Sequence, residues 1–265
     1  MGPGAAGPAG VTDPRRRVGD GDPPGPSRAA GPAAGRRRVF GRSGQGRALT
    51  AVEFGVLNHP TLILGGVHGD EPKSVHVVQK LAETLATARE STAGSDGRGV
   101  VVVPVVNPDG YERRLRRNLR GVDLNRNFPT RDWQPGRRRS RYYGGPHPAS
   151  EPETRGLIRL IEHLQPRWII TVHSIGQQRY CNNYDGPAAG LARLLARRNR
   201  YPVRRSIGYA TPGSLGRWAG GERRIPIATL ELPSHHSSKR CWEDNRCALL
   251  AAAGWEVPTP APGAT

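Results

Sequence analysis

Lysine is almost absent from this chain: Lys73, Lys80 and Lys239 are the only ones in 265 residues. The formal charge of +18 is therefore carried by arginine. Such a balance favours anionic partners, whether nucleic acid, charged surfaces or acidic small molecules. Aromatic residues make up only 6% of the chain, too few for a platform on which single-stranded bases stack. The arginines also form no recognisable nucleic-acid module. A solvated basic surface is their expected role, and a basic nucleic-acid-binding protein is the rival from another functional class. Cysteine is scarce as well. Cys181, Cys241 and Cys247, an odd number without a C-x-x-C pair, exclude a disulfide framework. No apolar run reaches the length of a membrane span. The N-terminal arginines lack an apolar segment behind them, and Met1-Gly2 lacks the hydroxyl residue that acylation needs, so a cytoplasmic location is expected. No internal repeat is present.

Residues 1–38 are mostly Gly, Ala, Pro, Arg and Asp. A segment with so few large apolar side chains cannot offset the entropy of ordering, and it is expected to be disordered. Residues 39–257 are long enough for one catalytic-sized α/β domain, and 258–265 read as a flexible tail.

Within the domain the chain is organised around Gly65-Gly66-Val67-His68-Gly69-Asp70-Glu71-Pro72. Thr61-Leu62-Ile63-Leu64 before it reads as a short buried strand. Pro72 suits the first position of a helix, which needs no backbone donor, and the period of Val75, Val78, Leu81 and Leu85 continues that helix to about Arg89. His68 and Glu71 therefore sit where a strand hands over to a helix, three residues apart and able to face one ion. Leu49–Leu57 reads as a strand beside Thr61–Leu64, joined to it as a hairpin. Ser91–Gly99 reads as a small-residue loop. Val100–Val106 is a β-branched run suited to a strand buried on both faces. Strand, helix and strand make a βαβ unit and so part of a parallel sheet.

Asn107-Pro-Asp-Gly-Tyr111 reads as a turn. The polar stretch that follows, to about Ser150, is too long to be a passive connection and is expected to be functional. Ser150-Glu151-Pro152-Glu153 opens a second helix with a capping residue and early acids. Trp168–Ser174 is a third buried strand with His173 at its C-terminal end, the edge where ligands bind in open parallel sheets. A helix spans Pro187–Arg200, Gly208–Ser214 is a candidate mobile lid, and Cys241–Ala252 is a closing helix. Ile225–Pro233 is a last apolar strand with one carboxylate, Glu231. A lone acid in such a run needs a partner or a task.

Taken in order, His68-Gly-Asp-Glu71, Asn107-Pro-Asp-Gly-Tyr111, Arg116-Arg-Asn118, Asp123-Leu-Asn-Arg-Asn127, His173 after an apolar strand and Glu231 in Thr-Leu-Glu-Leu resemble the zinc metallocarboxypeptidase family. The resemblance covers about Phe40 to Cys247. Gly121–Pro129 and Thr211-Pro-Gly-Ser-Leu-Gly216 make it most similar to that family's murein peptide amidase branch. The resemblance implies His68, Glu71 and His173 as ligands of one zinc ion per chain. It implies Glu231 as general base and Arg116 as the group that stabilises the oxyanion. Asn125 and Arg126 match the pair that holds a substrate carboxylate, and Tyr209 falls near a mobile active-site tyrosine. Asp70 departs from the digestive carboxypeptidases, which place a substrate-contacting arginine there.

The expectation is a single α/β domain with a mixed, mostly parallel sheet flanked by helices. It would be a zinc peptidase or amidase that hydrolyses an amide next to a free carboxylate, with the γ-D-glutamyl–meso-diaminopimelate bond of murein tripeptide as the implied substrate. A deacylase of the succinylglutamate desuccinylase or aspartoacylase type is the rival within the enzymes; the Asn125-Arg126 pair and the Pro-Gly-Ser-Leu loop weigh against it.

Overall fold

A computed structural model describes residues 1–2, 35–87, 99–176 and 179–255. The chain divides after Ala30, and the unit beginning at Gly31 carries every element below. The expected disorder of the N-terminal extension and the C-terminal tail lies outside the described residues, except that Arg36–Arg38 belong to the first strand.

Eight strands form one sheet in the order β1-β2-β4-β3-β5-β8-β6-β7. They are β1 (Arg36–Arg42), β2 (Ala48–Phe54), β3 (Thr61–Leu64), β4 (Val100–Val103), β5 (Trp168–Ile175), β6 (Cys181–Asp185), β7 (Val203–Arg204) and β8 (Ile227–Pro233). The central strands β4, β3, β5 and β8 run parallel, and antiparallel pairings attach β2 on one side and β6 on the other. The sheet is therefore mixed, with a parallel centre.

Every side chain of β3 and β4 is buried, as continuous apolar runs in a doubly covered sheet require. Burying each such valine or leucine contributes about 1.5–3 kcal/mol. Helices α1 (Pro72–Thr87), α4 (Ala189–Asn199) and α5 (Ser238–Ala252) pack on one face around Ile63, Ile170, Val172 and Leu230. Helix α3 (Pro152–Leu164) and a π-helical turn, Gly216–Glu222, pack on the other around Leu62, Leu64, Ile169 and Trp218. The short helix α2 (Pro108–Glu112) follows β4.

The hairpin expected between Leu49–Leu57 and Thr61–Leu64 does not form. β4 lies between them, antiparallel to β2 and parallel to β3. Four valines buried on both faces belong in the sheet centre, whereas β2, only part-buried on alternate residues, belongs near an edge. β4 also stops at Val103, three residues short of the expected end. Beyond Pro104, the Val106 and Asn107 amides turn away to donate to the carbonyls of Gly65 and Gly66. The first strand begins earlier than composition suggests because Glu53 pairs with Arg36 at 3.2 Å and with Arg38 at 3.6 Å. An arginine-rich edge strand also discourages edge-to-edge pairing. Glu151, not Ser150, occupies the cap position of α3, with the Ser150 hydroxyl donating to its carboxylate.

β6, paired between β8 and the edge strand β7, has no apolar signature. β6 reads Cys-Asn-Asn-Tyr-Asp. Its Asn182 exchanges two 3.0 Å hydrogen bonds with Asn199 of α4, which satisfies buried amides far from water.

Candidate metal centre and catalytic cleft

β3 connects through α1 to β4 on one side, while β5 adds to its other side. The crevice at such a switch point opens at the C-terminal ends of the strands. Gly66 adopts φ +58°, within 3.1 Å of the Val105 backbone if it carried a Cβ, so glycine is needed where the loop leaves β3. Ser74 secures that loop to the first turn of α1: its hydroxyl accepts from the Gly66 amide and donates to the Glu71 carbonyl.

This geometry turns His68 and Glu71 inward to meet His173, carried on β5. His68 Nδ1 lies 2.7 Å from Glu71 Oε1. His173 Nδ1 lies 3.1 Å from Glu71 Oε2 and 3.1 Å from His68 Nδ1. All three residues are buried, and their ligand atoms lie within 4.8 Å of one another. Two imidazoles and one carboxylate are the donor set of a catalytic zinc, which takes three protein ligands and keeps one position open. The charges fit as well. Burial opposes ionisation of Glu71, yet His68 and His173 hold its carboxyl well below the usual range. Burial alone would discharge His68, yet Glu71 and Asp123 outweigh it and lift the ring to about 9. These are groups arranged for a cation among them.

Residue type and spacing alone give Asp123 no role of its own within Asp123-Leu-Asn-Arg-Asn127. It takes His68 Nε2 at 3.1 Å on Oδ1 and accepts from Arg116 Nε and Nη2 at 3.1 and 3.0 Å on Oδ2. One fully buried carboxylate thus orients both a candidate ligand and the candidate oxyanion donor, and leaves Arg116 Nη1 facing His68 Nδ1 at 3.2 Å. Outer partners of ligating histidines typically matter 10–100-fold in metal affinity or activity. Asp123→Asn is expected to weaken zinc affinity by about that factor, measurable by competition with a chelator; unchanged affinity would remove Asp123 from the centre.

The long polar segment is ordered by its own amides. The Asn118 side-chain carbonyl accepts from the amides of Arg120 and Val122, and Asn127 ties to Gly144 and Ser150. The reversal brings Asn125 and Arg126 to the cleft. The Asn125 carbonyl oxygen accepts from the Leu215 amide at 2.9 Å, which leaves its NH₂ for a ligand. Tyr142, which carries no signal in the sequence beyond being an aromatic in a basic loop, lies with its ring centroid 5.4 Å from the Arg116 guanidinium and 5.2 Å from that of Arg126. It makes cation–π contact with both.

Glu231 stands directly opposite His173 on β8. Burial, then the Glu71 charge, raises its carboxyl to about 8. All eight predicted site residues, His68, Glu71, Arg116, Asn125, Arg126, His173, Tyr209 and Glu231, line one cleft of about 300 Å³. Arg113 and Arg114 do not line it; they are exposed. Tyr209 is at the lip, half exposed and 6.5 Å from the Tyr142 ring. The expected lid is fixed at its far end, where Gly213 bonds to both Phe128 and Thr130.

A family signature described as zinc carboxypeptidase matches residues 28–236. Murein peptide amidase A of Escherichia coli strain K12 is 38% identical over 183 residues, 65% of this chain and 70% of the relative. The crystal structure of a murein-tripeptide amidase from Escherichia coli O157 superposes with a TM-score of 0.69 at 32% identity, covering 89% of this chain and 98% of the other. Bovine thrombin-activatable fibrinolysis inhibitor, 18% identical with a TM-score of 0.70 over 83% of this chain and 88% of its own, shares the fold. Sequence and architecture agree with the donor set found at the sheet edge, and the chain belongs to the zinc carboxypeptidase family as a zinc metallopeptidase.

Proposed function

We propose that this enzyme hydrolyses the γ-D-glutamyl–meso-diaminopimelate bond of murein tripeptide, with His68, Glu71 and His173 holding the zinc. Support comes from the two amidase relatives and, within the chain, from an oriented Asn125 amide and the Arg126 guanidinium in the cleft that Glu231 also lines. Zinc in such a site acts as a Lewis acid and lowers the pKa of water to about 7.

The protein groups supply the rest. Asn125 and Arg126 hold the free α-carboxylate of the leaving residue by charge-assisted hydrogen bonds. Glu231 accepts the proton of the attacking water and returns it to the leaving amine. Arg116, held by Asp123, presents Nη1 to the oxygen on which charge develops. Tyr209 closes the lip over the bound peptide. A tripeptide of this kind is a product of wall turnover, so the reading extends to peptidoglycan recycling in the cytoplasm.

L-Ala-γ-D-Glu-meso-diaminopimelate is expected to be cleaved faster than the same tripeptide ending in lysine, read as a ratio of kcat/KM in competition. A ratio near one would mean that the distal carboxylate is not read. Arg126→Ala should impair both substrates, since both keep the α-carboxylate, at a cost of about 1.5–3 kcal/mol in transition-state binding. Cleavage of hippuryl-type carboxypeptidase substrates but of neither murein peptide would overturn the substrate assignment.

A further inference from the structure

A second cavity, about 380 Å³, opens from the catalytic cleft between Asn125, Tyr209 and Glu231. Its floor is the sheet itself. Every second residue of a strand faces the same side, so the rungs below Glu231 can be read from the register. The first rung is His173, Glu231 and Cys181. The next is Thr171, Thr229 and Asn183, and the one beyond is Ile169, Ile227 and Asp185. A polar rung thus lies between the candidate base and Asp185 at the far end of the cavity. Thr171 is 2% exposed and Asn183 8%, yet Thr171 Oγ1 and Asn183 Oδ1 have no hydrogen-bond partner among the described residues. Buried polar atoms left unpaired cost stability, and both of these residues line the cavity.

The cavity ends in charge of both signs. A Cβ on Gly216 would lie 2.3 Å from Asp185 Oδ2, so glycine at this position is what admits the carboxylate against the π-helical turn. The Asp185 carboxylate has no hydrogen bond among the described residues, and its pKa is raised by burial against the opposing charge of Arg217. Arg217 spends Nε on Asp132 at 3.0 Å, and its two terminal nitrogens have no acceptor among the described residues. Asp185, Arg205 and Arg217 also line an adjoining surface cleft, so this end of the cavity is basic and near solvent.

We infer that this cavity is a reader of a zwitterionic side-chain end on the leaving residue, with Asp185 taking the ammonium and Arg217 the carboxylate. The inference rests on the amidase reading above and names the residues that select the substrate. A leaving residue whose α-carboxylate sits at Asn125 and Arg126 has its side chain at the mouth of the cavity. Thr171 and Asn183 along the floor penalise an apolar side chain, which would leave them unpaired. The distal end of meso-diaminopimelate carries both an ammonium and a carboxylate, whereas lysine offers only the first.

The test uses the full-length zinc enzyme and three tripeptides, L-Ala-γ-D-Glu-X, with X as meso-diaminopimelate, L-lysine or L-2-aminopimelate, which keeps the distal carboxylate without the amine. Asp185→Asn is expected to lower the kcat/KM ratio of diaminopimelate to aminopimelate by about 10- to 100-fold. Arg217→Gln, at the exposed rim where folding is not at stake, is expected to lower the ratio of diaminopimelate to lysine by about the same factor. Ratios that stay at wild-type values in both variants, or a uniform loss on all three peptides, would overturn this inference while leaving the amidase reading intact. A wild-type enzyme that cleaves none of the three would overturn the amidase reading, and this one with it.

Discussion

Alanine at His68 or His173 is expected to strip the protein of zinc and to reduce hydrolysis to background. Wild-type protein should carry about one zinc per chain, because one set of three donors, and no other group of His, Cys, Asp or Glu among the described residues, is gathered closely enough. Each imidazole is one of three candidate ligands, and the binding free energy of a metal centre rests on all its ligands together. The two substitutions differ in what they leave behind. Without His68, Asp123 keeps its two bonds to Arg116 but loses the ring that bridges it to Glu71. Without His173, Glu71 keeps the Ser174 amide at 3.1 Å and the remaining contacts stay in place. His68→Ala should therefore also lower the melting temperature of the metal-free protein more than His173→Ala does. Elemental analysis after zinc reconstitution and gel filtration measures the first effect, and calorimetry the second. A His173→Ala protein that retains stoichiometric zinc would remove that residue from the centre.

Glu231→Gln is expected to retain zinc and fold while losing about 10²–10⁴-fold in kcat, the usual contribution of a positioned general base. The substitution preserves shape in a site that is only 6% exposed and removes the one property at issue, the capacity to accept a proton. A carboxyl raised to about 8 by burial and by Glu71 is a stronger proton acceptor than an exposed one, although bound zinc pulls it back down by stabilising the anion. The same shift has a sign for stability. In metal-free protein the folded state holds the Glu231 proton from the unfolded value of 4.5 up to about 8, so it binds more protons than the unfolded state across that window. Stability from this group is full below pH 4.5 and is lost as pH rises through 8. Metal-free Glu231→Gln should lack that loss and be at least as stable as wild type at pH 8, as followed by chemical denaturation. Near-normal turnover in this variant would take Glu231 out of the reaction.

What was legible in the sequence was whatever leaves a periodic or compositional trace. The runs Thr61–Leu64, Val100–Val103, Trp168–Ile175 and Ile227–Pro233 form the parallel centre because strands buried on both faces must be apolar without interruption. Their C-terminal ends carry His173 and Glu231, and the loop after β3 carries His68 and Glu71, because the C-terminal edge is where a parallel sheet presents polar groups. The ordered motifs then carried Arg116, Asn125 and Arg126 into the same cleft. Tertiary structure alone decided the rest. β6 had no signal because Asn183 and Asp185 face a polar cavity while Asn182 is satisfied by Asn199 from α4, so neither face shows an apolar alternation. β1 lay hidden in a tract of arginines, since only pairing with β2 supplies the carboxylate of Glu53 that makes the strand worthwhile. The place of β2 depended on which neighbour could cover Val100–Val103, a competition between partners distant in sequence. Asp123 and Tyr142 gained their tasks only when His68, Arg116 and Arg126 had been brought beside them. Residue type and spacing announce the groups that perform chemistry. The groups that hold them in place are chosen by contact across the fold, where many residue types can serve and local sequence leaves no mark.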